Sequence, residues 1–153
     1  MIERILVKVN GGLVTQTVLE NAQISALRVR GAPPQTDAEL RRVIDEITER
    51  YRCRVHTFTA DVGDDAEVAA LLQRIRTELP PLAGVAHLAG VLDDALLSQQ
   101  SLERFRTTLA PKAFGACHLD RLTREDDLDF FLVSSSVSSL FGSPGQANYA
   151  AAN

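Results

Sequence analysis

The last twenty residues, 134 to 153, constrain the fold and the chemistry of this chain most. An apolar run, Phe130 to Val133, leads directly into three serines, as a buried parallel strand does when it delivers polar groups to its carboxyl end. After a loop with two glycines and a proline, the stretch from Asn148 to Asn153 is typical of a helix start. Tyr149 and Asn153 are four positions apart, so one helical face presents both. The pattern predicts an α/β fold with a site at the carboxyl edge of its sheet.

A serine at a strand end and a tyrosine at a helix start suit the reduction of a carbonyl, which needs a proton donor. Ser136 and Tyr149 are the pair in question. A phenol, with an ordinary pKa near ~10, is a poor acid-base group at neutral pH unless a nearby cation stabilises its ionised form. Lys112 is the candidate cation. A lone lysine on a helix is usually a solvated charge, so only its spacing to Ser136 favours the functional interpretation.

These residues carry a family resemblance. The order Lys112, Ser136, Tyr149, Asn153, spaced by 24, 13 and 4 positions, resembles the active-site tetrad of polyketide synthase ketoreductase domains, which belong to the short-chain dehydrogenase/reductase superfamily. Ordinary members of the superfamily place the lysine four positions after the tyrosine. In these ketoreductases lysine and asparagine have exchanged places, and this chain shows the exchanged version.

The resemblance covers roughly the second half of the chain well and the first half poorly. It continues through HLAGVLDDALL, from His87 to Leu97, and through LAPKAFGACHL, from Leu109 to Leu119. It implies a Rossmann-like three-layer α/β/α fold with a mostly parallel sheet, incomplete at the C-terminus. Residues 1 to 153 are then expected to form a single partial ketoreductase domain, because a complete one needs further strands, helices and a substrate lid.

The resemblance also implies a mechanism. Hydride passes from NADPH to the β-carbon of a β-ketoacyl chain on an acyl carrier protein, while Tyr149 donates a proton to the forming alkoxide. Ser136 orients the carbonyl oxygen, Lys112 stabilises the phenolate and touches the ribose, and Asn153 supports the helix backbone and a water relay. Neighbouring serines compete with Ser136, and spacing favours Ser136. We expect little or no turnover from this chain alone.

The first half of the chain contains candidate cofactor-binding residues that the resemblance supports less strongly. By resemblance, Gly11 and Gly12 form the turn that approaches the pyrophosphate, although residues 14 to 17 carry side chains where further glycines are expected. Arg28 or Arg30 would pair with the 2′-phosphate of NADPH through a planar guanidinium. A solvated strand end explains the two arginines equally well.

Two further strand ends complete the implied cofactor site. Asp61 and Val62 would contact the adenine, although an aspartate after a strand more simply caps the next helix. Ala89 and Gly90 are small enough for the backbone to lie against the nicotinamide ribose, but such a pair is common in any α/β unit. His87, just before them, is interpreted as a core or edge histidine.

The stretch Leu92-Asp93-Asp94 resembles the LDD signature of B-type ketoreductases. Phe141 stands where the A-type has tryptophan, and Ala151 is not the proline of epimerising variants. The resemblance therefore implies a B1-type, non-epimerising ketoreductase. A solvated loop is the alternative interpretation of Asp93 and Asp94.

The composition and charge of the chain limit the classes of partner that it is expected to bind. The net charge is −4 with both signs interspersed, which does not suggest a nucleic-acid partner. No apolar run approaches the roughly 18 residues of a membrane helix, and the start of the chain lacks the apolar region of a signal peptide, so we expect a cytoplasmic protein without a membrane partner. The two cysteines match no metal spacing.

Secondary structure is predicted from local patterns. Thr36 to Glu39 has the spacing of a capping box before an amphipathic helix, and a second apolar stripe runs from Val68 to Leu79. Strands are predicted at 5–9, 54–60 and 84–88, and one long helix at 102–123 with Pro111 at a kink.

Three functions from different classes remain open at this point. The first is a reductase, or a part of one, working with the other domains of a polyketide or fatty-acid multienzyme. The second is a non-catalytic remnant or structural subdomain of such a multienzyme. The third is a nucleotide-binding module without a redox role.

Overall fold

A computed structural model describes residues 4–8 and 36–153 of the chain. These residues fall into two compact units. The larger comprises 4–7 and 57–153, and the smaller comprises residue 8 and residues 36–56. The candidate residues Gly11, Gly12, Arg28 and Arg30 lie outside the described residues.

The smaller unit is built on helix α1, Asp37–Tyr51. The Thr36 hydroxyl accepts a hydrogen bond from the Glu39 N–H at 3.2 Å, and the Glu39 carboxylate accepts one from the Thr36 N–H at 3.2 Å. Arg52 ends the helix in the left-handed conformation, with φ of 49°. The predicted capping box is confirmed, because its two reciprocal bonds satisfy donors that the first helical turn leaves unpaired.

Strand and helix alternate along the described part of the chain. Strand β1, Arg4–Lys8, forms a two-stranded sheet with β2, Val55–Thr59. Strand β3, Gly84–His87, pairs in parallel with β4, Phe130–Val133, in a register that sets His87 opposite Val133. Parallel pairing requires a crossover connection, and the helices between residues 97 and 122 supply it.

The core of the larger unit forms around helix α2, Asp65–Glu78. Its predicted apolar stripe is confirmed, with four side chains buried at helical spacing: Val68, Leu71, Leu72 and Ile75. They pack with Phe58, Ala60 and Val62 from β2 and the turn after it, and with Leu82, Val85 and Leu119. Each fully buried aliphatic side chain stabilises the fold by about 1.5–3 kcal/mol.

The helical crossover is divided where one long helix was predicted. It consists of α3, Leu102–Leu109, a π-helical turn, Ala110–Phe114, and α4, Gly115–Leu122. Pro111 has no N–H for the regular ladder and its ring crowds the preceding turn. The chain accommodates it with a wider turn, in which the Gly115 N–H donates to the carbonyl of Ala110.

Strand β4 is parallel, as predicted, but the prediction that it is buried is wrong. Phe130, Phe131 and Val133 are 39%, 37% and 47% exposed. Within the described residues β4 pairs with β3 alone, so its other edge and much of its surface stay accessible. Beyond it lie two short helices, α5, Ser138–Phe141, and α6, Ala147–Ala152. In the part of the chain that is described, no helix has the length and apolarity to cross a bilayer.

Candidate active site

The structure brings Lys112 and Tyr149 together. Lys112 lies in the π-helical turn with 5% of its surface exposed, and Tyr149 lies on α6. The Nζ atom is 5.9 Å from the centroid of the tyrosine ring, within the range over which an ammonium group interacts with an aromatic face. The buried ammonium group and the phenol ring therefore lie side by side, although they belong to two different elements of the chain.

Asn153 follows α6 on the same helical face as Tyr149. Its Nδ2 donates to the carbonyl oxygen of Tyr149 at 2.7 Å, so the amide supports the backbone of this short helix. Its Oδ1 is buried and accepts no hydrogen bond from the described residues. A buried amide oxygen without a donor is costly, so this atom is suited to accept a hydrogen bond from a bound molecule or water.

Ser136 lies beyond the end of β4, at the turn that leads into α5. Its Oγ accepts a hydrogen bond from the Ser138 N–H at 3.2 Å. Its neighbour Ser135 donates from Oγ to the carbonyl oxygen of Asn153 at 2.9 Å. The serine-rich strand end and the end of α6 are therefore joined through Ser135, next to the predicted Ser136.

The turn after β3 borders the same lysine. A Cβ atom built on Gly90 would lie 3.8 Å from both Cδ and Nζ of Lys112, which is ordinary van der Waals contact. Ala89 packs against the core of the larger unit. The backbone of residue 90 thus runs beside the ammonium group with no side chain between them.

Asp61 does not cap helix α2, so the simpler interpretation of this residue was wrong. The cap is Asp64, whose carboxylate accepts from two N–H groups of the first turn at 2.8 and 3.1 Å. Asp61 instead accepts from the Gly63 N–H at 2.8 Å in a tight turn. The adjacent Val62 is 1% exposed, and its carbonyl contacts Nδ1 of His118 at 3.1 Å.

The loop with Leu92, Asp93 and Asp94 is attached to the segment before Tyr149. The carbonyl of Asp93 accepts from Nδ2 of Asn148 at 2.8 Å, and the carboxylate of Asp94 accepts from Nε2 of Gln146 at 3.0 Å. The Asp93 carboxylate also forms an ion pair with Arg104 on α3. Asp93 is therefore partly buried and paired, whereas Asp94 and Leu92 are exposed, as the alternative of a solvated loop expects.

Asn148 is the residue that sequence reasoning missed. Its side chain is fully buried and connects the loop at Asp93 to the backbone of Tyr149. Its Oδ1 accepts a hydrogen bond from the N–H of Tyr149 at 2.9 Å. A weaker contact of 3.4 Å reaches the carbonyl of Arg104 on α3. An asparagine within an alanine-rich helix, where it is a poor helix former, was the available signal.

One buried histidine adjoins the site. His87, at the end of β3, is 4% exposed, in agreement with its interpretation as a core histidine. Burial of the imidazole lowers the pKa of His87 below its ordinary value of 6.5, and the charge of Lys112 lowers this pKa further. Hydrogen bonds to the backbone of Lys112 and Pro111 oppose the shift. The imidazole is therefore neutral at neutral pH.

Comparison with known proteins decides the family. The model of the KR domain matches residues 10–153. The chain belongs to the KR domain family. Polyketide synthase GfsA from Streptomyces halstedii is 50% identical over 109 residues, which are 71% of this chain and 1% of that synthase.

Solved ketoreductase structures agree. An N-terminal ketoreductase from the macrolactin assembly line superposes with a TM-score of 0.72 at 30% identity, covering 80% of this chain and 25% of that one. A structure of A-type ketoreductases from a modular polyketide synthase gives a TM-score of 0.65 at 40% identity, covering 78% of this chain and 24% of that one. The predicted Rossmann-like α/β fold is confirmed by these similarities. The KR chain spans about a quarter of the length of each of these solved chains.

Domains of this family are oxidoreductases of the short-chain dehydrogenase type that use a nicotinamide cofactor, and the relatives are parts of multidomain polyketide synthases. The residues beside Lys112 fit the nicotinamide-ribose half of such a cofactor. Gly90 presents bare backbone next to the ammonium group, and Oδ1 of Asn153 has no hydrogen-bond donor among the described residues.

Proposed function

We propose that this chain carries the catalytic part of a polyketide synthase ketoreductase, which reduces a β-ketoacyl thioester on an acyl carrier protein to the β-hydroxyacyl form with NADPH. The observation that carries the proposal is the distance of 5.9 Å between Nζ of the buried Lys112 and the ring of Tyr149. A carbonyl reduction needs a proton donor, and a phenol next to a buried ammonium group is a candidate for that donor.

Each of the four residues of the proposed site has its own task. Tyr149 donates the proton to the alkoxide as it forms, and Lys112 stabilises the phenolate that remains. Ser136 orients the carbonyl oxygen with its hydroxyl. Asn153 holds the backbone of Tyr149 through its 2.7 Å hydrogen bond and offers Oδ1 to a water that replaces the lost proton. NADPH, when bound, supplies the hydride.

We further propose the B1 type for this domain. The LDD loop is supported against Gln146 and Asn148, three residues and one residue before Tyr149, so it has a fixed relation to the proton donor. Phe141 and Ala151 complete the pattern that the resemblance implies. The stereochemistry of the alcohol, measured by chiral chromatography against both synthetic standards, tests the type. The A-type alcohol would refute it.

Cofactor binding is tested in the chain itself. The sequence has no tryptophan, so the fluorescence of the reduced nicotinamide is measured without indole emission. Tight binding of NADPH with much weaker binding of NADH supports the proposal, because it reports recognition of the 2′-phosphate. Binding that ignores the redox state of the nicotinamide favours a plain nucleotide-binding module, and absence of binding favours a non-catalytic role.

Turnover is tested in a chimaera, because α6 has only six residues and short helices are marginal without packing. Residues 84–153 replace the equivalent segment of the macrolactin ketoreductase, and oxidation of NADPH by a β-ketoacyl thioester is followed by absorbance. We expect Tyr149→Phe to lower kcat by about 10²–10⁴-fold, since it removes the proton donor and keeps the ring. Equal rates would refute the role of Tyr149.

A structural subdomain of a multienzyme is the second candidate function. The observation that favours it is the exposure of Val137, Leu140 and Phe141, at 73%, 80% and 86%, on and beside α5. Exposed apolar side chains that lie close together usually mark an interaction surface. A chain that binds no NADPH but associates stably with neighbouring synthase domains would support this candidate.

A further inference from the structure

The buried imidazole of His87 contacts the backbone of the candidate catalytic lysine. Its Nε2 lies 3.0 Å from the carbonyl oxygen of Lys112, and the residue is 4% exposed. A carbonyl oxygen only accepts hydrogen bonds, so this contact requires the proton on Nε2. The same carbonyl also accepts from the N–H of Gly115.

The accepting carbonyl belongs to the irregular part of the crossover. Lys112 is the central residue of the π-helical turn Ala110–Phe114, in which Pro111 contributes no N–H. A π turn is a rare geometry that is less stable than regular helix, and it persists where surrounding contacts hold it. The bond from His87 is such a contact, because it joins the turn laterally to β3.

Packing leaves the imidazole little freedom to move away. A Cβ atom on Gly115 would lie 3.2 Å from Cε1 of His87 and 3.1 Å from Cγ2 of Val62, which is tighter than most real contacts. The imidazole is therefore packed close to the bare backbone of Gly115 through its Cε1 atom. Strand β3 and the turn after it thus contact Lys112 twice, at its carbonyl through His87 and at its side chain through Gly90.

We propose that His87 is a positioning residue, which holds the π-helical turn so that the ammonium group of Lys112 stays beside the ring of Tyr149. The inference rests on the proposed function for its significance in catalysis. The neutral state of the imidazole is consistent with it, since a second positive charge beside Lys112 would be unfavourable. The histidine of the adjoining helix α4, His118, contacts the carbonyl of Val62 instead.

A core histidine without this role makes a different prediction. It would stabilise the larger unit, and its loss would lower stability, but the contact between Lys112 and Tyr149 would persist in the folded variant. The test therefore needs a readout of that contact and a variant that restores only the hydrogen-bond donor.

The composition of the chain makes the contact directly observable. Lys8 and Lys112 are its two lysines, and Tyr51 and Tyr149 its two tyrosines. In a Tyr51→Phe background with isotope-labelled lysine, nuclear Overhauser cross-peaks between the lysine Hε protons and tyrosine ring protons report the contact at neutral pH. Long-range ¹⁵N spectra report which nitrogen of His87 carries the proton.

The expected result is a neutral imidazole protonated on Nε2 and cross-peaks from Lys112 to Tyr149 that are lost in His87→Leu. His87→Gln should restore them, because its amide also donates. The matched control, His118→Leu, removes an imidazole bond to a different carbonyl and should keep the cross-peaks.

Three results would overturn the inference: unchanged cross-peaks in His87→Leu, a His87→Gln variant that behaves like His87→Leu, or a proton on Nδ1 in the unsubstituted histidine. The last measurement decides the matter even where His87→Leu does not fold. Failure of NADPH binding would refute the proposed function while leaving these spectra unaffected, so the two failures are distinguishable.

Discussion

Replacing Asn148 by alanine removes the amide that joins three parts of the candidate site. The fully buried side chain donates to the carbonyl of Asp93 at 2.8 Å and accepts from the N–H of Tyr149 at 2.9 Å. Two further contacts, with Arg104 and Gln100, are 3.4 Å long and contribute less. Asn148→Ala therefore leaves two partly buried backbone groups without their partner.

The magnitude follows from those two groups. A buried donor or acceptor that loses its partner costs about 1–3 kcal/mol, so the pair costs about 2–6 kcal/mol. We expect about 3 kcal/mol, because water can enter beside the loop and partly replace the amide. For a domain of this size, a loss of about 3 kcal/mol corresponds to a fall of about 6–12 °C in Tm.

The assay is urea unfolding followed by tyrosine fluorescence in a Tyr51→Phe background, so that Tyr149 reports on the larger unit. The matched control is Gln146→Ala, which removes an amide two positions earlier. The hydrogen bond of that amide to Asp94 is more exposed than the bonds of Asn148. We expect the control to change the free energy of unfolding by less than about 1 kcal/mol. An Asn148→Ala variant as stable as the control would refute the assignment of Asn148 as a buried connector.

Three other changes test separate parts of the structure. Gly115→Ala should lower the free energy of unfolding by about 1–2 kcal/mol despite the better helix propensity of alanine, because the new methyl group meets Val62 and His87; a gain in urea stability would contradict this packing. Asp64→Ala should cost about 1 kcal/mol by thermal unfolding through loss of the α2 cap, and an unchanged Tm would show that another residue caps it. Burial lowers the pKa of His87, so the unfolded chain binds its proton more tightly and stability is lost as pH falls below about 6.5, by at most ~1.4 kcal/mol per pH unit. Urea titrations between about pH 5 and 7.5 should show a shallower slope in His87→Gln than in the parent, and equal slopes would contradict it.

Local signals predicted helices α1 and α2 well. The capping box at Thr36 and the stripe from Val68 to Ile75 depend on residues three or four positions apart, which a sequence displays directly. The cap of α2 was assigned less well. The segment DVGDD contains two possible capping residues, Asp61 and Asp64. Asp61 forms a tight turn with Gly63, and Asp64 caps the helix.

Features that depend on distant partners were beyond sequence reasoning. The burial of Asn148 requires carbonyl acceptors from Asp93 and Arg104, more than forty positions earlier in the chain. The π-helical turn depends on how Pro111 is accommodated and on the lateral bond from His87. The exposure of β4 depends on which strands pair with it. An apolar run has the same sequence pattern in an edge strand as in a central strand, so the sequence does not distinguish them.

The candidate site itself was found through spacing. Neither Lys112 nor Tyr149 stands out by composition, and a lysine on a helix is ordinarily solvated. The family resemblance selected both, and the geometry then placed a 5% exposed ammonium group over the ring. The cofactor residues of the first half stay predictions.

The most direct test of the account is an experimental distance between Nζ of Lys112 and the ring of Tyr149, from a crystal structure of this chain. We predict a buried ammonium group close to the 5.9 Å found here. An amine directed into bulk water, away from the phenol, would contradict the account, because no other cation among the described residues is assigned to assist proton transfer by Tyr149.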